Sequence, residues 1–136
     1  MTVAPFEIAG HSIHAGTSVD LELPISVMSN RQTMSLTVKV FHGKAPGPVM
    51  FVSGAVHGDE IIGVEIIRRL ANRPSLDTLR GTLILVPIVN GYGFLNRSRY
   101  LPDRRDLNRC FPGSETSSLA DRLAHLFMTE IVARSD

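Results

Sequence analysis

The chain has 136 residues, 43% of them hydrophobic, and a formal net charge of +1, which allows one domain with a real core and gives no field calling for nucleic acid or an anionic membrane. No apolar run reaches the roughly 18–20 residues of a membrane span, and the first ten residues lack the basic start and apolar stretch of a signal peptide. One cysteine, Cys110, excludes an internal disulfide framework, and two tyrosines without tryptophan argue against a nucleic-acid stacking platform; a cytoplasmic location is expected.

Two β-branched, partly alternating runs, SVDLELPISVM (18–28) and MSLTVKVFHG (34–43), read as strands joined by the turn signal SNRQ. GKAPGP (43–48) is a breaker cluster. It divides an N-terminal β segment, residues 1–45, from the remainder, 46–136. PVMFVSGAV (48–56) is apolar at nearly every position, the pattern of a strand covered on both faces. It leads through His57-Gly58-Asp59 into EIIGVEIIRRLAN (60–72), where Ile62, Ile66 and Leu70 fall at helical spacing. There Glu65 and Arg69 form an i,i+4 pair, and NRP ends the helix. GTLILVPIVN (81–90) is a second buried strand, so the middle of the chain reads as a parallel βαβ unit.

Residues 91–113 are polar, arginine-rich and without clear period, the profile of a functional loop. SSLADRLAHLFMTEIVARSD (117–136) is an amphipathic helix. Ser118 and Asp121 give it a capping-box-like start, and Ala120, Leu123, Ala124, Phe127 and Ile131 share one face. The fold class is α/β: a mixed, largely parallel sheet flanked by helices.

Ligand sites in open α/β sheets lie beyond the carboxyl ends of strands, and His57 sits at such an end. Glu60 follows by three, and an imidazole with a carboxylate suits zinc at about 2.0–2.2 Å each. Gly58 permits a tight turn between them. Asp59 is placed to cap the helix or to hold His57 from behind. The plainer reading is that the turn merely caps a helix whose dipole favours both acids. DLNR (106–109) ends a loop carrying Arg97, Arg99, Arg104, Arg105 and Arg109. A guanidinium fork matches a carboxylate, and Asn108 adds a neutral donor beside it. The plainer reading pairs these arginines with Asp103, Asp106 and Glu115. His11, His14, His42 and His125 read as structural or solvent-facing. Cys110 lacks a histidine base in sequence, and Gly91 and Gly93 allow a turn rather than a phosphate cradle.

SGAVHGDEIIG, PIVNGYGF and RYLPDRRDLNRCFPG, in this order, resemble the succinylglutamate desuccinylase/aspartoacylase family of zinc-dependent deacylases, relatives of the zinc carboxypeptidases. The resemblance implies a carboxypeptidase-like fold and one Zn2+, for which His57 and Glu60 match the first two ligands. Asn108 and Arg109 match the pair that holds the substrate carboxylate. Arg99 matches the arginine that polarises the scissile carbonyl, with Arg105 as a competitor. The implied activity is amide hydrolysis of an N-acylated amino acid or a similar small carboxylate. Two alternatives differ from it: a carboxypeptidase trimming peptide C-termini, and a non-catalytic carboxylate-binding or interaction domain. The family's third ligand, a histidine, and its general-base glutamate fall beyond Asp136. The chain is therefore expected to be the inactive front part of a longer enzyme, truncated before its C-terminal strands, with weak metal binding and a sheet edge open to self-association.

Overall fold

The computed structural model describes residues 2–136. Two short strands, β1 (Phe6–Ile8) and β2 (His11–Ile13), form an antiparallel hairpin that the sequence reading missed. Its two-residue loop places Ala9 and Gly10 at φ 48° and 77°, the left-handed pair that such tight hairpins require. β3 (Thr17–Val27), β4 (Thr33–His42), β5 (Ala45–Ser53) and β6 (Arg80–Val86) build one mixed sheet in the order β3-β4-β6-β5. β3 and β4 pair antiparallel, as do β4 and β6; β5 and β6 run parallel. The run that breaks the pattern at Ala45–Pro48 lies inside β5, whose register with β6 shifts between Ala45 and Val49. The β3–β4 hairpin is thus continuous, through β6, with the βαβ unit.

The helices α1 (Ile62–Ala71) and α3 (Leu119–Glu130) cover opposite faces of this sheet; a third, short helix, α2 (Gly91–Asn96), follows β6. The strand patterns follow from that layering. Along β6 Leu83 and Leu85 pack with Ile67 of α1, while Ile84 and Val86 join the core that includes Leu123, Ala124 and Phe127 of α3. Both sets must be apolar, because successive side chains alternate between two buried faces. β3 and β4 bury one face, with Leu21, Leu23, Leu36, Val38 and Val40 inside and Asp20, Glu22 and Thr37 outside. Ser118 caps α3, its hydroxyl accepting from the Asp121 N–H. The five apolar positions expected on its inner face are all buried.

α1 differs from its reading in one respect. The helix is present, yet its buried position is Ile67, whereas Ile62 and Ile66 face outward, Ile62 at 78% exposure. His11 and His14 are exposed, and His42 is buried between Thr82 Oγ1 at 2.8 Å and the Ala4 carbonyl at 2.9 Å. Among the described residues no helix is long and apolar enough to cross a membrane.

Candidate active site

The parallel pair β5–β6 does not stop where the strands formally end. The Gly54 N–H donates to Val86 O, and the Val89 and Asn90 N–H groups donate to Gly54 O and Ala55 O at 2.9 Å each. These bonds carry the two strand ends side by side to the rim where ligands bind in such sheets. His57 lies just past this rim, in a turn closed by the Glu60 N–H on the His57 carbonyl. Gly58 is obligatory for steric reasons: a Cβ there would stand 1.9 Å from the Gly93 carbonyl carbon of α2. The turn and the short helix therefore touch backbone to backbone.

Asn90 ties the second wall to the first. It is fully buried, its side-chain oxygen accepts from the Gly93 N–H at 2.8 Å, and its amide donates to the Arg99 carbonyl at 3.4 Å. Further on, the 3-10 turn Leu107–Arg109 is anchored by the fully buried Leu107 and capped by Asp106, which accepts from the Asn108 N–H at 3.0 Å.

The two walls meet at His57, which is 8% exposed. Its Nδ1 lies 3.0 Å from Glu60 Oε1, and its Nε2 lies 2.8 Å from Asp106 Oδ1. Arg99 completes the cluster, with Nε and Nη2 at 3.2 and 3.1 Å from Asp106 Oδ2 and Nη1 at 3.6 Å from Glu60 Oε1. Burial pushes the Asp106 carboxyl up, but the hydrogen bonds from His57, the Asn108 N–H and Arg99 outweigh it and hold it below the usual carboxylate range. Asp106 is the residue the sequence reading missed as a site member. Locally it looks like a cap or an arginine partner, and its contact with His57 spans 49 residues. Asp59 takes neither role suggested for it: α1 begins at Ile62 without a side-chain cap, and the acceptor behind His57 is Asp106.

Of the residues singled out from sequence, His57, Glu60 and Arg99 converge. Arg105 is drawn elsewhere, 3.5 Å from Asp121 at the start of α3. Asn108 and Arg109 sit on the 3-10 turn immediately after Asp106, both exposed. Burial and the nearby Asp121 carboxylate raise the pKa of Cys110, whose thiol donates to the Asp106 carbonyl at 3.3 Å. That is the environment of an inert thiol rather than a nucleophile.

A neutral imidazole carries one N–H, yet two carboxylates flank this ring. In the tautomer whose Nε2–H donates to Asp106, Nδ1 turns a lone pair toward Glu60, and a cation between Nδ1 and Oε1 would be held by both. Two zinc ligands at about 2.0–2.2 Å and a tetrahedral angle stand about 3.3–3.5 Å apart, a few tenths beyond the 3.0 Å found between these atoms. The pair fits two of a zinc ion's donors. Among the described residues, no group of three or more His, Cys, Asp or Glu side chains is arranged to hold a metal.

A family model described as the succinylglutamate desuccinylase/aspartoacylase catalytic domain matches residues 46–136. The N-alpha-acetyl-L-2,4-diaminobutyric acid deacetylase of Halomonas elongata is 30% identical over 117 residues, covering 85% of this chain and 34% of that protein. A crystal structure of a succinylglutamate desuccinylase/aspartoacylase from Rhodobacter sphaeroides superposes with a TM-score of 0.77 at 31% identity, over 88% of this chain and 38% of that one. The product-bound ectoine utilization protein EutE (DoeB) from Ruegeria pomeroyi gives 0.77 at 30% identity, over 88% and 37%. The chain spans about a third of the length of these relatives.

Proposed function

Because the chain belongs to the succinylglutamate desuccinylase/aspartoacylase catalytic-domain family, we propose that residues 46–136 are the N-terminal portion of a zinc-dependent domain that hydrolyses the amide of an N-acylated amino acid or a similar small carboxylate. The observation that carries this reading is His57 held between two carboxylates, with Arg99 bridging both. Deacetylation of an N-acetylated diamino acid by the Halomonas elongata relative supports the substrate class.

In this reading His57 Nδ1 and Glu60 hold zinc. When bound, the ion supplies Lewis acidity and lowers the pKa of water at its open position. Asp106 keeps the His57 proton on Nε2, so that Nδ1 stays free to coordinate. Arg99 offers donors to the scissile carbonyl, where negative charge grows as the carbon becomes tetrahedral. Asn108 and Arg109 grip the substrate carboxylate and fix the amide relative to Arg99, turning binding energy into alignment. The remaining metal donor and the general base come from further polypeptide.

Calorimetric titration of zinc, and then of N-acetyl amino acids and short peptides, tests this reading. The expected results are one weak zinc site, lost in His57→Ala and in Glu60→Ala, and N-acetyl amino acid binding that is weakened in Arg109→Ala. Zinc binding unchanged in both ligand variants overturns the metal assignment. Preference for peptides overturns the deacylase assignment in favour of a carboxypeptidase. Turnover by the 136-residue chain at the rate of a complete deacylase overturns the division of the site.

A further inference from the structure

Glu60 Oε1 has two claimants. It lies 3.0 Å from His57 Nδ1, the edge at which a metal would enter, and 3.6 Å from Arg99 Nη1. Among the described residues no other lysine or arginine pairs with Glu60 or with Asp106. The carboxylate that would take a dication therefore already faces a cation.

The position of that cation is set from behind. The Nε and Nη2 edge of Arg99 rests on Asp106 Oδ2, while Asp106 Oδ1 takes His57 Nε2 and the Asn108 N–H. The two oxygens of one carboxylate thus hold the imidazole and the guanidinium at a fixed spacing. A guanidinium has five N–H donors; those of one edge go to Asp106, and Nη1 is left turned toward Glu60. The two contacts differ in strength. The Asp106 side chain is 17% exposed and meets Arg99 at two nitrogens, whereas that of Glu60 is 65% exposed and meets it at one, over the longer distance. A single exposed ion pair is worth little and breaks readily. Charge-assisted hydrogen bonds to a shielded carboxylate are the stronger kind.

From this shared oxygen we infer that Arg99 is the resident counter-ion of Glu60 in the metal-free protein, and so a guard on the metal site. A dication entering between His57 Nδ1 and Glu60 displaces Nη1, while Asp106 keeps the rest of the guanidinium at the rim. Loading the metal and freeing Nη1 for a ligand's carbonyl are then one event. The inference rests on the assignment of His57 and Glu60 as metal ligands and goes beyond it in sign: Arg99 belongs to the site, yet it weakens metal binding. A residue that merely braced Asp106, and through it His57, would strengthen metal binding instead.

The test is competition for Zn2+ between a chromophoric chelator and each of three proteins: the chain itself, Arg99→Gln and Arg99→Lys, each checked for folding by circular dichroism. Arg99→Gln removes the charge and is expected to bind zinc about 3–30-fold more tightly, because the rival ion pair and the repulsion between guanidinium and dication are both gone. Arg99→Lys keeps a positive charge and is expected to gain less. In the unaltered chain, arginine side-chain 15N spectra report the displacement itself. Zinc is expected to shift the Arg99 Nη resonance while the Nε–H, held by Asp106, stays slow to exchange. Unchanged or weaker zinc binding in Arg99→Gln overturns the inference in favour of a bracing role. Equal tightening in Arg99→Lys overturns it as well, since charge is then not the cause, and so does an Nη resonance blind to bound zinc. Zinc held by none of the three proteins overturns the ligand assignment itself, and the inference falls with it.

Discussion

Gly58→Ala tests whether the His57–Glu60 turn and α2 form one rigid unit. The added Cβ would stand 1.9 Å from Gly93 C, 2.2 Å from Phe94 N and 2.4 Å from Gly93 O, where ordinary contact begins at 3.4 Å. The shortfall is about 1.5 Å, and all three atoms are backbone, so no side chain can swing aside. Overpacking typically costs about 1–3 kcal/mol; with backbone on both sides we expect the upper end, about 3 kcal/mol, and a Tm lower by about 10 °C. A turn displaced by that much also exceeds the ~0.2 Å tolerance of metal–ligand distances, so zinc affinity should fall at least tenfold. Urea denaturation and competition against a chromophoric chelator measure the two effects. Gly91→Ala is the control: a Cβ there meets nothing within 4 Å, and its effect should stay within about 0.5 kcal/mol. A Gly58→Ala protein that melts and binds zinc like its parent would refute the backbone contact as the fixture of the site.

Asp106→Asn keeps the shape of the side chain but places a donor where His57 Nε2 or Arg99 needs an acceptor. Zinc affinity is expected to fall about 10–100-fold with little change in secondary structure by circular dichroism. Asn90→Ala leaves the buried Gly93 N–H unpaired and should cost about 1–3 kcal/mol in urea denaturation. Glu65 is held down to about 2 by hydrogen bonds from Arg68 and Arg69, below an ordinary value of about 4.3. The contribution of this carboxylate to α1 is therefore complete above pH ~4.3 and lost as pH falls through its folded value. A carbon-detected NMR titration at low salt should show that low midpoint; a midpoint near 4 contradicts the triad.

Most of the sheet could be read from the chain because its strands advertise their surroundings. β6 is apolar from Leu83 to Val86, as a strand between two helices must be, and β3 and β4 alternate because one face is wet. The elements that escaped are short. Three-residue strands such as β1 and β2 leave no measurable period, and their only local signal is Ala9-Gly10, a weak hairpin pair. α2 is six residues with glycines at 91 and 93, poor helix formers; its existence depends on the Asn90 cap and the packing of Gly58. Ile62 and Ile66 satisfied the helical spacing, but the sheet selected Ile67, a choice that depends on how the helix is rotated over β5 and β6. At the site, His57 and Glu60 were readable as neighbours, three residues apart. Asp106 was not, because its partnership with His57 exists only after two loops fold against each other.

The first hairpin cannot be finished by the residues that compose it. The Ala9 N–H in its loop donates to Glu130 across 121 residues, and Arg134 reaches back to the Glu7 carbonyl at 3.0 Å. On a ribosome this segment must therefore wait, exposed, until Glu130 and Arg134 have emerged. Removing residues 6–13 or residues 130–136 strikes the same latch, so the two deletions should produce one shared defect in assembly.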